Sequence, residues 1–495
     1  MDYEKFLEQN KDEMIASLQA VLRCNSEQTD AVRTAGGEVY PFGEGVQKAF
    51  VTFLKIAEEM GFVTYNADNY GGHVDFVGTG RPVKNEEGEI VNYEKPKVLG
   101  ILGHLDVVPA GGGWDFDPYG ANMAEGKIYG RGTTDDKGPM VSCLYAMKAL
   151  KDAGHKPQAT IRLIIGLDEE TNWKGMDYYF SKAVKPDFGF TPDGDFPVIN
   201  GEKGILVFEL AKKFSQTHVK GLELRSLSGG AAANSVADSC RVVVRNQNAG
   251  EAPYVKIREE ITKFREETGY KIHAKGIGKS LEITTTGISA HGAKPEAGLN
   301  AISIMMEFLG RLNFVNEDHN DFIEFYNRYI GFCLDGEHLG INFSDEVSGG
   351  LVFNVGIAEM NEKAGKLTIN VRYPVTLEHE KIYETMAETL ERYNIGLIKE
   401  KLQEPIFMDT DSPMIRLFMD IYRKHTGDTE SQPLVIGGGT YARAAEGIVA
   451  YGAQFPDDED LMHRKNEALS LKRLTQMTKI YAEAIYKLSS EDYNS

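Results

Sequence analysis

A chain of 495 residues, 42% hydrophobic and 26% charged, is long enough for two or more cores and has neither a disordered nor a fibrous composition. Its formal net charge of -20 argues against a nucleic-acid partner held through phosphates, which would need a basic face. Most of its carboxylates solvate the surface, but clustered ones could hold hard or borderline cations.

The amino-terminal run MDYEKFLEQNKDEMIASLQAVL predicts an amphipathic helix over about Tyr3–Leu22, without the basic segment and apolar core of a secretory leader. No window approaches the roughly 18 consecutive apolar residues that span a bilayer. Cys24, Cys143, Cys240 and Cys333 are scattered, with no CxxC pair. The expectation is a soluble protein of a reducing compartment, the cytoplasm, with no membrane partner.

A second helix is predicted over Gly43–Met60, then strand over Val63–Val77 with a turn at Gly71-Gly72. KVLGILGHLDVVP, Lys97–Pro109, is an apolar strand with polar residues at its end, and the glycine-rich loop Ala110–Gly138 and a helix over Pro139–Lys151 follow it. ATIRLIIGLDEE, Ala159–Glu170, is a second buried strand, ending in acids, and another helix starts near Trp173. Apolar strands alternating with helices predict an α/β fold: a mostly parallel mixed sheet with helices on both faces. Ligands of such sheets bind at the carboxyl ends of the strands, where both acid-rich segments fall.

After about Gly201 the pattern becomes α+β. Strands are predicted over Ile205–Phe214, Ser239–Asn246, Lys279–Gly287 and Lys366–Tyr373, with helices over Ala252–Thr268, Asn300–Leu312 and His379–Tyr393. From Met408 the first pattern returns: helix Pro413–His425, strand Gln432–Ile436 and helix Ser470–Ser489.

Several segments could carry chemistry. In His104-Leu105-Asp106, strand alternation puts the carboxylate where it can hydrogen-bond the far nitrogen of a metal-bound imidazole; the plainer reading is a strand-end His satisfied by its neighbour. Asp135-Asp136, in the glycine-framed run GRGTTDDKG, are cation ligands or helix N-caps. Asp168-Glu169-Glu170 would repel one another unless they were solvated or faced cations. Asp193 and Asp195 lie in a turn, His463 in a polar run, and His291 between small residues before a helix. Gly278-Lys279-Ser280 resembles the end of a phosphate loop, but His273 stands where its first glycine is required. Gly437-Gly438-Gly439-Thr440 lacks the following lysine, which leaves a backbone anion nest as its remaining use. There is no GxSxG elbow and no Cys in a nucleophile context.

In order, GHLDVVP, GRGTTDDKGP, LDEETNWKG, TPDGDFPVINGEKG, a lone His in the insertion and a late His followed by NE resemble the metallopeptidase family of aminoacylases, glutamate-releasing carboxypeptidases and acetylornithine deacetylases. Within it, TPDGDFPVINGEKG and IGGGTYARA make the chain similar to the PepV-type, carnosinase-like dipeptidases, over nearly its whole length. The resemblance implies a zinc-peptidase-like catalytic domain over 1–201 and 407–495, and over 202–406 an inserted lid of two ferredoxin-like halves.

It also implies a co-catalytic pair of divalent ions. His104 and Asp193 would hold one, Glu170 and His463 the other, and Asp135 would bridge them. Zinc suits the imidazoles; manganese or cobalt would suit the carboxylates. Asp106 would orient His104, and Glu169 would be the general base toward the water between the metals. In the lid, His291 would stabilise the oxyanion, and Asn234 and Arg372 would fix the substrate's carbonyl and terminal carboxylate, helped by the backbone of Gly438, Gly439 and Thr440. The expectation is a monomeric dipeptidase acting on small peptides with both termini free. The alternatives are an N-acyl amino acid deacylase and a non-catalytic, metal-dependent peptide-binding homologue.

Overall fold

A computed structural model describes residues 2–216, 218–247 and 252–490. The strand Val98–His104 is buried from its second residue to its last, as a strand covered on both faces must be. Thr160–Gly166 runs parallel beside it, in a register that sets Thr160 opposite Val98 and Gly166 opposite His104. On its other side Phe188–Thr191 is parallel as well, and Ile448–Ala450 extends the parallel set beyond that. Gly72–Phe76 adds antiparallel to Thr160–Gly166, and Val63–Asn66 pairs with it at the edge, so the sheet is mixed. The helix Lys137–Asp152 is buried along most of its length and packs against Leu471–Ser489 and the two amino-terminal helices.

Three parallel strands thus reach one carboxyl edge, where His104 is the last residue of its strand and the Asp168–Glu170 segment and Asp193 follow the ends of the other two. These elements belong to one compact unit, formed by the chain up to Asn200, by Met408–Leu434 and from Gly439 onward. Among the described residues, no helix is long and apolar enough to cross a membrane.

The second unit, Gly201–Phe407 with Val435–Gly438, has its own core on an eight-stranded sheet whose neighbours all pair antiparallel. Its order is Lys271–Ile277, Ser280–Thr286, Ser239–Asn246, Leu222–Gly229, Val352–Asn361, Ala364–Tyr373, Gly204–Lys213 and Gly396–Gln403. The first four strands carry the helices Ala252–Thr268 and Ala301–Leu309, and the last four carry Glu380–Arg392. The two halves join where Leu222–Gly229 pairs with Val352–Asn361, Gly229 opposite Ala358.

Two local expectations are corrected. The first helix is two, Tyr3–Gln9 and Lys11–Leu22, because Asn10 (φ -91°, ψ 3°) ends one and opens the other. The Val63–Val77 stretch is a hairpin whose turn precedes Gly71, with Asp68 and Asn69 at φ 52° and 66°. Gly72 is a strand residue, and a Cβ there would run into the Tyr65 carbonyl and the Phe50 ring.

Candidate metal centre

The site begins at the end of a buried strand. His104 is fully buried, and its Nδ1 lies 3.0 Å from the carbonyl oxygen of Asp106. A carbonyl only accepts, so the proton sits on Nδ1 and Nε2 is the nitrogen turned toward the acids. Nε2 is 3.0 Å from Asp135 Oδ1 and 3.7 Å from Asp193 Oδ2. The other oxygen of Asp135 is 2.8 Å from His463 Nε2, which also lies 3.2 Å from Glu170 Oε1. Asp135 therefore gives one oxygen to each imidazole, with Asp193 beside the first and Glu170 beside the second. Glu169 belongs to the same cluster: donor atoms of His104, Glu169 and Asp193 lie within 4.8 Å of one another, as do those of His104, Asp135 and Glu170.

The protonation equilibria show what such a cluster demands. Burial disfavours the His104 imidazolium, but hydrogen bonds to Asp106 and Asp135 prevail and hold its pKa well above the ordinary histidine value. His463 is pushed up to about 11, first by its hydrogen bond to Asp135 and then by that to Glu170. Burial and then the charge of Asp135 raise Asp193 to about 7 and raise Glu170 as well. Burial, then Asp193, pushes Glu169 well above the usual carboxylate range. Burial would raise Asp135 too, but the two imidazoles more than offset it and hold the pKa low. Positive charge is what these acids lack. Three carboxylates and two imidazoles, with one carboxylate common to both histidines, are a donor set that fits two divalent cations.

Asp106 has a larger task than orienting an imidazole. Its buried carboxylate accepts from the backbone N–H groups of Glu169 at 3.2 Å and Glu170 at 3.1 Å, while remaining 3.4 Å from His104 Nδ1. It thereby ties together the two strand ends that carry the acids. Asp168 turns away from the cluster and accepts from the N–H of Gly175 at 3.1 Å, which anchors the helix Lys174–Lys182. Asp136 accepts from the N–H of His104 at 3.1 Å.

Sequence reasoning missed Glu467. Fully buried, it accepts from Arg131 Nη1 at 2.8 Å, Gly132 N at 3.1 Å, both N and Oγ1 of Thr134 at 2.9 Å, and Asp135 N at 3.4 Å. One carboxylate folds the loop that presents Asp135. The Arg131 side chain is 3% exposed, so Glu467→Gln strands a buried cation and should cost about 3–5 kcal/mol in a denaturant melt. A loss below 1 kcal/mol would show that the loop holds itself.

The second unit contains most of the residues expected to meet substrate. His291 Nδ1 accepts from the N–H of Ala293 at 3.1 Å, so its neutral ring carries the proton on Nε2, as an oxyanion donor requires. The Asn234 carbonyl accepts from Gly292 N at 2.7 Å, which keeps Asn234 beside His291. Arg372 is buried, donating from Nε to Asn370 Oδ1 and from Nη1 to the Gly437 carbonyl, each at 2.9 Å. Gly438 is the last residue of this unit, and Gly439 and Thr440 belong to the first. There Thr440 Oγ1 accepts from Ala442 N at 3.1 Å and caps the turn Tyr441–Ala444.

Imidazoles and carboxylates gathered at the carboxyl edge of a mixed α/β sheet, with a second α+β unit, define a metallohydrolase class of protein. The model for peptidase family M20/M25/M40 matches residues 100–487, and the chain belongs to that peptidase family. A Staphylococcus aureus (strain bovine RF122 / ET3-1) protein named "Putative dipeptidase" is 36% identical over 495 residues, 99% of this chain and 100% of the relative. The fold is similar to human carnosine dipeptidase 1 (TM-score 0.54, 14% identity, 98% of each chain). It is also similar to aminoacylhistidine dipeptidase from Vibrio alginolyticus (TM-score 0.55, 14% identity, 97% of each chain).

Proposed function

We propose that this protein is a dipeptidase dependent on two divalent ions, cleaving the amide bond of dipeptides whose amino and carboxyl ends are both free. One observation carries the proposal: Asp135 offers separate oxygens to His104 and His463, at 3.0 and 2.8 Å, with Asp193 and Glu170 flanking. His104 and Asp193 would hold one ion, Glu170 and His463 the other, and Asp135 both. Zinc is the expected metal. When bound, the ions would polarise the scissile carbonyl and lower the pKa of the attacking water.

The remaining chemistry belongs to side chains. Glu169 takes the proton of the attacking water and passes it to the leaving amine, a task suited to a carboxylate whose pKa burial, and then the charge of Asp193, hold well above the usual carboxylate range. Asp106 holds the Glu169 backbone so that the carboxylate keeps its place. His291 Nε2–H donates to the developing oxyanion, Asn234 steadies the carbonyl and Arg372 receives the terminal carboxylate, with backbone donors from Gly438, Gly439 and Thr440. We assign the enzyme to the cytoplasm, a reading supported by four cysteines that are all free, and assign it as a monomer from the doubled second unit, whose sheet has eight strands.

A panel of free dipeptides, each assayed beside its N-acetylated form, tests the substrate class. Free dipeptides should turn over, and acetylation should lower kcat/KM by about 100-fold or more, since the site would have lost its charged-amine partner. Hydrolysis of the acetylated compounds alone would make the protein an N-acyl amino acid deacylase. Tight peptide binding without turnover by the metal-loaded protein would make it a binding homologue.

A further inference from the structure

The second unit contains a hollow of the opposite electrical character to the metal centre. A cavity of about 1030 Å³ is lined by Lys220, Arg225, Arg245, Arg258, Lys279 and Ser280, and no lining residue among those described is acidic. In a chain where 74 acids outnumber 54 lysines and arginines, five cations around one hollow whose described lining holds no carboxylate run against composition. Arg225 is shared with Glu223, at 3.1 Å, and with Glu362. Arg245, Arg258 and Lys279 make no ion pair among the described residues.

Arg258 and the turn that carries Lys279 are held in place. Gly278, at φ 58°, allows the two-residue turn that joins Lys271–Ile277 to Ser280–Thr286 and carries Lys279. Tyr254 Oη donates to the Lys279 carbonyl at 2.8 Å and accepts from Asn246 N at 3.0 Å, which ties that turn to the helix Ala252–Thr268 and the strand Ser239–Asn246. Arg258 Nη1 donates to the Ala274 carbonyl at 2.9 Å, so its guanidinium lies along the same hairpin. Gly278-Lys279-Ser280 is thus a hairpin turn and not a strand-to-helix phosphate loop, yet its lysine and serine line a hollow built from cations.

We propose that this cavity binds a small molecule through two or more linked phosphate groups. Arginine forks pair bidentately with phosphate oxygens, lysine supplies a mobile point charge, and a serine hydroxyl donates beside them. Arg245, Arg258 and Lys279 alone exceed what a single carboxylate ligand would need. The volume matches small-molecule sites, which run to about 1,000 Å³.

The test is calorimetric titration of the full-length protein with inorganic pyrophosphate. The protein is first treated with chelator, so that no cation in the acid cluster can recruit phosphate. One pyrophosphate should bind per chain, more weakly as salt is raised. Lys279→Glu with Arg258→Glu, both exposed positions, should weaken binding at least about tenfold, the worth of one charge-assisted hydrogen bond. Dipeptide hydrolysis by that variant, with metal restored, should be unchanged. Equal affinity for ADP would make the phosphates the whole determinant, and tighter ADP binding would add the nucleoside; both results support the site. Absence of pyrophosphate binding would overturn the proposal, as would undiminished binding by the double variant. An equal loss in Lys5→Glu with Lys55→Glu, on exposed positions of the first unit, would reduce the effect to overall charge and also overturn it.

Discussion

Glu169→Gln should lower kcat for a dipeptide by about 10²–10⁴-fold, the span that a positioned general base contributes, with KM nearly unchanged. The substitution isolates chemistry from architecture. The Glu169 backbone is held from both sides, its N–H donating to Asp106 Oδ1 at 3.2 Å and its carbonyl accepting from Trp173 Nε1 at 2.9 Å. Glutamine keeps the shape of the side chain and removes its charge and its ability to take a proton. Because the Glu169 carboxylate lies within 4.8 Å of donors from His104 and Asp193, the metal content of the variant must be measured beside its kcat. Full metal content with lost turnover is the signature of a base. Metal lost in step with turnover would make Glu169 a ligand, and turnover within tenfold of wild type would remove it from the reaction.

Asp135→Ala should have the larger structural effect. It removes the carboxylate that touches both imidazoles, leaving His104 and His463 without the group that draws them together. Retention of both ions should fall by more than about 100-fold, beyond what loss of a supporting hydrogen bond costs a metal site, and turnover should fall below detection. Asp136→Asn is the control. Asp136 contributes an acceptor to the His104 N–H at 3.1 Å, which an asparagine oxygen can replace, so both ions and most activity should survive. If Asp136→Asn were as damaging as Asp135→Ala, the loop would matter as a whole and Asp135 would have no special part.

The edge of the sheet was legible because its signals are local. Unbroken apolar runs before His104 and before Asp168 mark buried strands, and polar residues at their ends point to a carboxyl edge. Strand Ser239–Asn246 and helix Ala252–Thr268 fall where alternation and helical spacing put them. What the sequence conceals is non-local. Glu467 sits in the polar run HRKNE and looks solvated; its burial depends on donors such as the N–H of Gly132, 335 residues away. Asp106 is similar: spacing suggests its relation to His104, while its grip on the Glu169 and Glu170 amides depends on two strands lying in register. The helix Glu317–Tyr329 was not foreseen because its buried face is only His319, Phe322, Ile323, Phe325 and Tyr326, within an acidic, amide-rich segment. Its start is fixed by the Asn316 side chain accepting from Asp318 N, which is clear only once the turn is seen. Nor does any local pattern announce that Leu222–Gly229 pairs with Val352–Asn361 to join the halves of the second sheet.

The most direct test is anomalous diffraction from crystals of the zinc-loaded protein, with metal content measured on the same preparation. Two peaks are expected, one contacted by His104 and Asp193 and the other by Glu170 and His463, with Asp135 reaching both. A single ion, or ions bound away from these five side chains, would contradict the account.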